Sequence, residues 1–111
     1  MLPLRIHGSL GQQLDTTAVI DTGYNGSLSL PAAVVNTLTL ELLGPMKLIL
    51  GDASQRALSF YRGEVQWGSQ RRSVRVLCVE GDPLVGTALL KGHRLEVNFS
   101  HDGVVIVRPV P

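Results

Sequence analysis

The sequence predicts a mainly β domain with two short helices, and three observations predict it. Apolar residues recur with period two in several short runs, as where Leu2, Leu4 and Ile6 alternate with Pro3 and Arg5; that spacing turns one face of a strand inward. Turn-forming residues separate the runs at short intervals, and the twelve glycines and six prolines are spread along the chain rather than gathered into a linker. Only residues 31–38 and 87–91 read as helical, for one or two turns each.

The elements follow in order. After the first strand, His7-Gly8-Ser9 and Gly11 offer a turn. Residues 14–20 are β-branched and apolar and run straight into Asp21, and Leu28-Ser29-Leu30 is a further short strand. Pro31 then opens Ala32-Ala33-Val34-Val35, and proline at the first helical position predicts a helix through about Leu38. Leu43-Gly44-Pro45 is expected to break the chain. Residues 47–50 and 57–61 read as strands around Gly51-Asp52-Ala53-Ser54, and residues 64–67 and 73–79 as a second pair around Gly68-Ser69-Gln70. Gly81-Asp82-Pro83 is a turn, and residues 87–91 form a short helix closed by Gly92. Residues 94–99 and 104–107 flank His101-Asp102-Gly103, where Asp-Gly signals a hairpin.

Composition excludes several classes. The 111 residues suit one domain, spanning 1–111, and 44% hydrophobic with 17% charged residues is not the balance of a disordered chain. A net charge of +1 implies no nucleic-acid partner, and Arg71, Arg72 and Arg75 read as a solvated strand face. The single Cys78, in the run Val76-Leu77-Cys78-Val79, supports neither a disulfide framework nor a thiolate zinc site and reads as a small hydrophobe. No apolar stretch approaches the roughly 20 residues that span a bilayer, and the opening Met1-Leu2-Pro3-Leu4 has no signal-peptide character. A cytoplasmic protein with no membrane partner is the expectation. His7, His93 and His101 are scattered, so they are expected to be solvated, and no metal or cofactor site is expected. Ser27, Ser29 and Ser54 lack a Gly-x-Ser-x-Gly elbow, Gly8-Ser9-Leu10-Gly11 lacks the Gly-Lys of a phosphate loop, and Trp67 reads as core or interface.

One segment stands apart. In Ala18-Val19-Ile20-Asp21-Thr22-Gly23 an ionisable residue ends a buried-looking strand and is followed by Thr and Gly. A plain turn explains the tripeptide by itself. Its context resembles the retropepsin-like aspartic proteases, whose active-site loop is Asp-Thr-Gly after apolar residues, and within them the small prokaryotic single-domain members with an aromatic residue and Asn-Gly next, as in Tyr24-Asn25-Gly26. Leu28-Ser29-Leu30-Pro31 is similar to the strand leaving that loop. The hairpin around Gly51-Asp52-Ala53-Ser54 lies where the family has its substrate-covering flap, although family flaps are often richer in glycine. Leu84-Val85-Gly86 before Thr87-Ala88-Leu89-Leu90 resembles the family's second element of two apolar residues, glycine and a short helix. The likeness covers roughly residues 4–99.

The resemblance implies a closed β-barrel, the half of an acid protease, with one or two short helices. It implies an aspartic endopeptidase with a polypeptide substrate and no cofactor. Two carboxylates sharing one proton are needed, one to deprotonate water and one to hydrogen-bond the scissile carbonyl. The chain holds one Asp-Thr-Gly, so a homodimer would supply the second Asp21 across a two-fold axis, with residues 94–107 as the candidate interface. Asp21 would be catalytic acid and base, Thr22 would brace the two loops, and Gly23 would let backbone approach carboxylate and substrate. Tyr24, Asn25, the flap residues Leu50, Gly51, Asp52 and Ala53, and Leu84, Val85 and Gly86 would form the substrate site. Two other readings stay open: a dimeric peptide-binding or assembly module of the same fold without catalysis, and an unrelated small β-barrel in which Asp21 is a turn residue.

Overall fold

A computed structural model describes residues 1–49, 55–97 and 105–110. Its strands are β1 (Leu2–His7), β2 (Gln13–Ile20), β3 (Leu28–Leu30), β4 (Glu41–Ile49), β5 (Gln55–Trp67), β6 (Gln70–Cys78), β7 (Leu84–Val85), β8 (His93–Val97) and β9 (Val105–Pro109), with helices α1 (Ala32–Thr37) and α2 (Thr87–Leu90). The protein is mainly β. Seven strands pair in the order β1-β2-β7-β3-β6-β5-β4, and β1 also pairs with β5. That last pairing, Ile6 opposite Val65 and His7 opposite Glu64, closes six strands into a barrel and leaves β4 outside on β5.

Closure explains why the inward residues form one core. Leu4 and Ile6 from β1, Ala18 from β2, Leu28 and Leu30 from β3, Val65 from β5, Val74 and Val76 from β6 and Val85 from β7 are buried together with Val35 and Leu38 of α1 and Leu89 of α2. On β1 and β6 they alternate with exposed residues, so the period-two reading holds where one face meets water. Closure removes the free edges of the six barrel strands, and β4, paired on one side only, keeps one.

The expected break at Gly44-Pro45 is not a break. β4 runs through it with a register shift between Leu42 and Gly44, a bulge in which Gly44 takes φ 144°. Pro45 is tolerated because β4 pairs on one side only, so its missing N–H is not needed. Likewise, residues 57–61 and 64–67 belong to one 13-residue strand, β5. Its one edge serves β4 as far as Arg62 and β1 from Glu64. Gly63 lies at the changeover, and a Cβ there would come within 2.9 Å of Val76 Cγ2. Glycine at that point marks a neighbour change, not the end of a strand.

Both expected helices are present. Pro31 is the residue before α1, extended at ψ 158°, with its carbonyl accepting from the Val34 and Val35 amides; that is one position earlier than expected. Thr39 ends α1 in the left-handed region at φ 50°. β8 and β9 form a separate two-stranded sheet. The turn of that hairpin, with His101, Asp102 and Gly103, lies outside the described residues. Among the described residues no helix is long and apolar enough to cross a membrane.

Candidate active site

The site starts from where β2 ends. Ala18 is fully buried in the core, and Val19 and Ile20 pair in parallel with Leu84 and Val85 of β7. β7 is also antiparallel to β3, with Leu28 opposite Val85 and Ser29 opposite Leu84. It therefore threads between two strands that are neighbours in sequence and not in the sheet, so residues 21–27 must cross over its end. The ladder continues one step past β2, because the Asp21 amide donates to Val85 O at 2.9 Å.

There the chain turns. The Gly23 amide donates to Asp21 Oδ1 at 2.9 Å and the Tyr24 amide to Asp21 O at 3.1 Å, an aspartate stabilising the turn that follows it. The side chain is thereby held through one oxygen. Asp21 is half-buried, while Thr22, Gly23 and Asn25 are exposed. Among the described residues no basic side chain lies within ion-pair distance of Asp21.

The loop is then tied to the start of α2. The Gly86 amide donates to Ser27 O at 3.0 Å, the Thr87 amide to Tyr24 O at 2.9 Å and the Ala88 amide to Gly26 O at 3.2 Å. Thr87 Oγ1 also donates to Tyr24 O, at 3.3 Å. The first amides of a helix have no partner within it, and α2 has no side-chain cap; carbonyls of the 21–27 loop take that place. Packing at Gly86 is close enough to require glycine. A Cβ on Gly86 would come within 2.2 Å of Gly26 O and 2.6 Å of Tyr24 O, and one on Gly26 would meet the Tyr24 ring. The half-buried Tyr24 phenol is pushed above its ordinary pKa by desolvation.

Asp21, Gly23, Tyr24, Leu84, Val85 and Gly86 are thus one hydrogen-bonded unit. Thr22 and Asn25 lie on its exposed surface. The flap residues Leu50, Gly51, Asp52 and Ala53 lie outside the described residues. Sequence reasoning missed Gly26, Ser27 and Thr87 as members. Thr87 carries the one readable signal, a hydroxyl at the start of a short helix; Gly26 and Ser27 act through backbone carbonyls, which no side chain reports.

Other acids and histidines are placed elsewhere. Asp15, on β2, pairs with Arg5 at 2.7 Å on the surface, and the Arg5 hydrogen bond holds its carboxyl below the usual range. Two histidines depart from the solvated expectation: His7 is buried and contacts Gln66 Oε1 at 3.3 Å, and half-buried His93 accepts from Trp67. Each lies inside a hydrogen-bonded contact that its neighbours in sequence do not announce. Cys78 packs against the core, and burial raises its thiol's pKa. Among the described residues no group of three His, Cys, Asp or Glu is placed to hold a metal. Comparison with protein-family models, with curated proteins and with solved structures finds no match.

Proposed function

We propose that this chain is a retropepsin-like aspartic endopeptidase that acts as a homodimer on a polypeptide. The observation that carries the reading is the Asp21 carboxylate, half-buried at the end of a barrel strand and held by the Gly23 amide at 2.9 Å. A carboxylate tied through Oδ1 leaves Oδ2 for water or a second carboxylate. The Asp21 amide donating to Val85 O and the Tyr24 amide donating to Asp21 O hold its position before substrate arrives, the preorganisation that catalysis by a fixed charge requires.

One carboxylate is not enough for this reaction. A two-fold axis beside the loop brings a second Asp21 from an identical chain. Two carboxylates that close cannot both ionise, so the pair shares one proton and titrates as a unit. The ionised member takes a proton from water, which attacks the scissile carbonyl while the protonated member hydrogen-bonds the carbonyl oxygen; the proton taken from water then passes to the leaving amine, and the pair is left sharing one proton. Thr22, exposed in the single chain, is where the facing loops would meet.

A second reading keeps the dimer and the peptide and drops the cleavage; Asp52 beside the single Gly51 at the flap position favours it. One experiment separates them. Purified protein and Asp21→Asn are incubated with a proteome-derived peptide library from about pH 3 to about pH 7, and products are read by mass spectrometry. Cuts lost by a factor of about 10²–10⁴ in the variant are expected. Cuts that persist in Asp21→Asn reject the assignment. A dimer that retains peptide uncut at every pH supports the second reading.

A further inference from the structure

Trp67 ends β5, and its indole Nε1–H donates to His93 Nε2 at 2.9 Å, with ring centroids 5.5 Å apart and planes at 75°. An indole nitrogen only donates, so His93 Nε2 must accept. His93 Nδ1 lies 3.0 Å from Lys91 O, and a carbonyl only accepts, so Nδ1 carries the hydrogen. The two contacts together admit one form of the ring, the neutral Nδ1–H tautomer.

The bond joins the barrel to the β8–β9 hairpin. Among the described residues the hairpin shares no strand pairing with the barrel and contributes no residue to the buried core, its apolar Leu95, Val105, Ile106 and Val107 being half-buried. A two-stranded sheet is marginal without support. Between hairpin and barrel is a cavity of about 640 Å³, with Leu2, Leu4, Trp67 and Arg72 on one side and His93 and Val107 on the other.

We propose that the Trp67–His93 bond is a pH-sensitive latch: neutral His93 holds the hairpin to the barrel, and a proton taken from solvent at Nε2 releases it and opens the cavity. Protonation turns Nε2 into a second donor facing the indole N–H, so the bond to Trp67 is lost. The Nδ1–H bond to Lys91 O survives and becomes charge-assisted. The ring therefore stays with its own turn while the barrel side lets go.

The charged surroundings do not compensate. From β6, Arg72 lines the cavity with one amino group on Leu89 O at 3.2 Å, and Arg71 is paired with Glu64. On the hairpin, Lys91 precedes the ring, Arg94 is paired with Glu96, and Arg108 stands opposite Arg94. The β1 residues at the cavity, Leu2, Pro3 and Leu4, do not titrate, and among the described residues no carboxylate lines it. His7, farther along β1, has the opposite role. Gln66 donates through Nε2 to Gly68 O at 3.1 Å, which leaves Oε1 as the acceptor for His7 Nε2–H. His7 Nε2 is thus already a donor, so among the described residues His93 is the histidine whose side-chain bond needs a ring nitrogen as acceptor. None of this depends on the role of Asp21.

The chain has one tryptophan, so one indole N–H signal reports the latch in a nitrogen–proton NMR correlation spectrum. Lowering the pH from about 8 to about 5, the span over which histidine changes charge, should move that signal to the position of a solvent-exposed indole. Protection of β8–β9 amides, corrected for intrinsic exchange, should fall roughly five-fold, while β1, β5 and β6 keep theirs. His93→Gln supplies a carboxamide oxygen that accepts at every pH, so its indole signal and hairpin protection should not change with pH. His93→Phe should show the released state at both ends of the range. The proposal is overturned if the wild-type signal and hairpin protection are unchanged between the two pH values, or if they change equally in His93→Gln.

Discussion

The loop that carries Asp21 is fixed by backbone groups: amides of Gly23, Tyr24, Gly86, Thr87 and Ala88, with that of Asp21 itself, each find an oxygen within the unit. The β8–β9 hairpin is attached differently. Among the described residues its ladder is internal, its residues stay out of the core, and its polar tie to the barrel is one bond between two side chains. Both segments are irregular additions to the same closed sheet. Five of those six bonds end on backbone carbonyls, which do not titrate, and the sixth ends on Asp21 Oδ1; a site that must hold a carboxylate in place benefits from such a frame. An appendage held through an imidazole follows the pH instead.

The comparison can be broken most severely at Gly86. Alanine there would force Cβ against Gly26 O and Tyr24 O, backbone atoms with no room to move, and should cost about 1–3 kcal/mol, read as a lower denaturant midpoint with an unchanged slope. A neutral Gly86→Ala would mean that the loop is not packed on α2 as described. His93→Phe comes next. Loss of the Trp67 bond should cost about 0.5–1.5 kcal/mol, with the loss of exchange protection confined to β8–β9; a loss spread evenly over the barrel would contradict the separate attachment.

Thr87→Val is a finer probe. It removes the hydroxyl bond to Tyr24 O at 3.3 Å and keeps the amide bond at 2.9 Å to the same oxygen, so the change should stay below about 1 kcal/mol. A larger effect would show that the hydroxyl, not the backbone, holds the loop. The smallest expected effect concerns Tyr24. Desolvation raises its folded pKa above the unfolded value of 10.0, so its contribution is complete below about pH 10 and is lost as pH rises through the folded value. Unfolding midpoints of wild type and Tyr24→Phe, compared at about pH 8 and about pH 11, should show a shallower alkaline decline in the variant. Equal declines would mean that the phenol is solvated.

How much of this was legible depends on the range of the interaction. The strands at residues 2–6 and 14–20 and the helix at 87–90 could be read because alternation and capping act between neighbours. Gly44-Pro45 and Gly63 misled because glycine and proline report local backbone freedom, and a bulge or a change of partner uses the same freedom as a turn. His93 misled because its partner, Trp67, lies 26 residues away.

By itself the sequence determined the strand content, the two short helices, and the placing of a lone Asp-Thr-Gly directly after an apolar, β-branched run. Period-two burial and turn chemistry are local, and local preferences are written in consecutive residues. Only the tertiary structure decided that β7 enters between β2 and β3, that carbonyls at Tyr24 and Gly26 cap α2, and that β1 meets β5 to close the barrel. Those contacts join segments about sixty residues apart through backbone atoms that every residue shares, so no side chain advertises them, and they form only when the barrel closes.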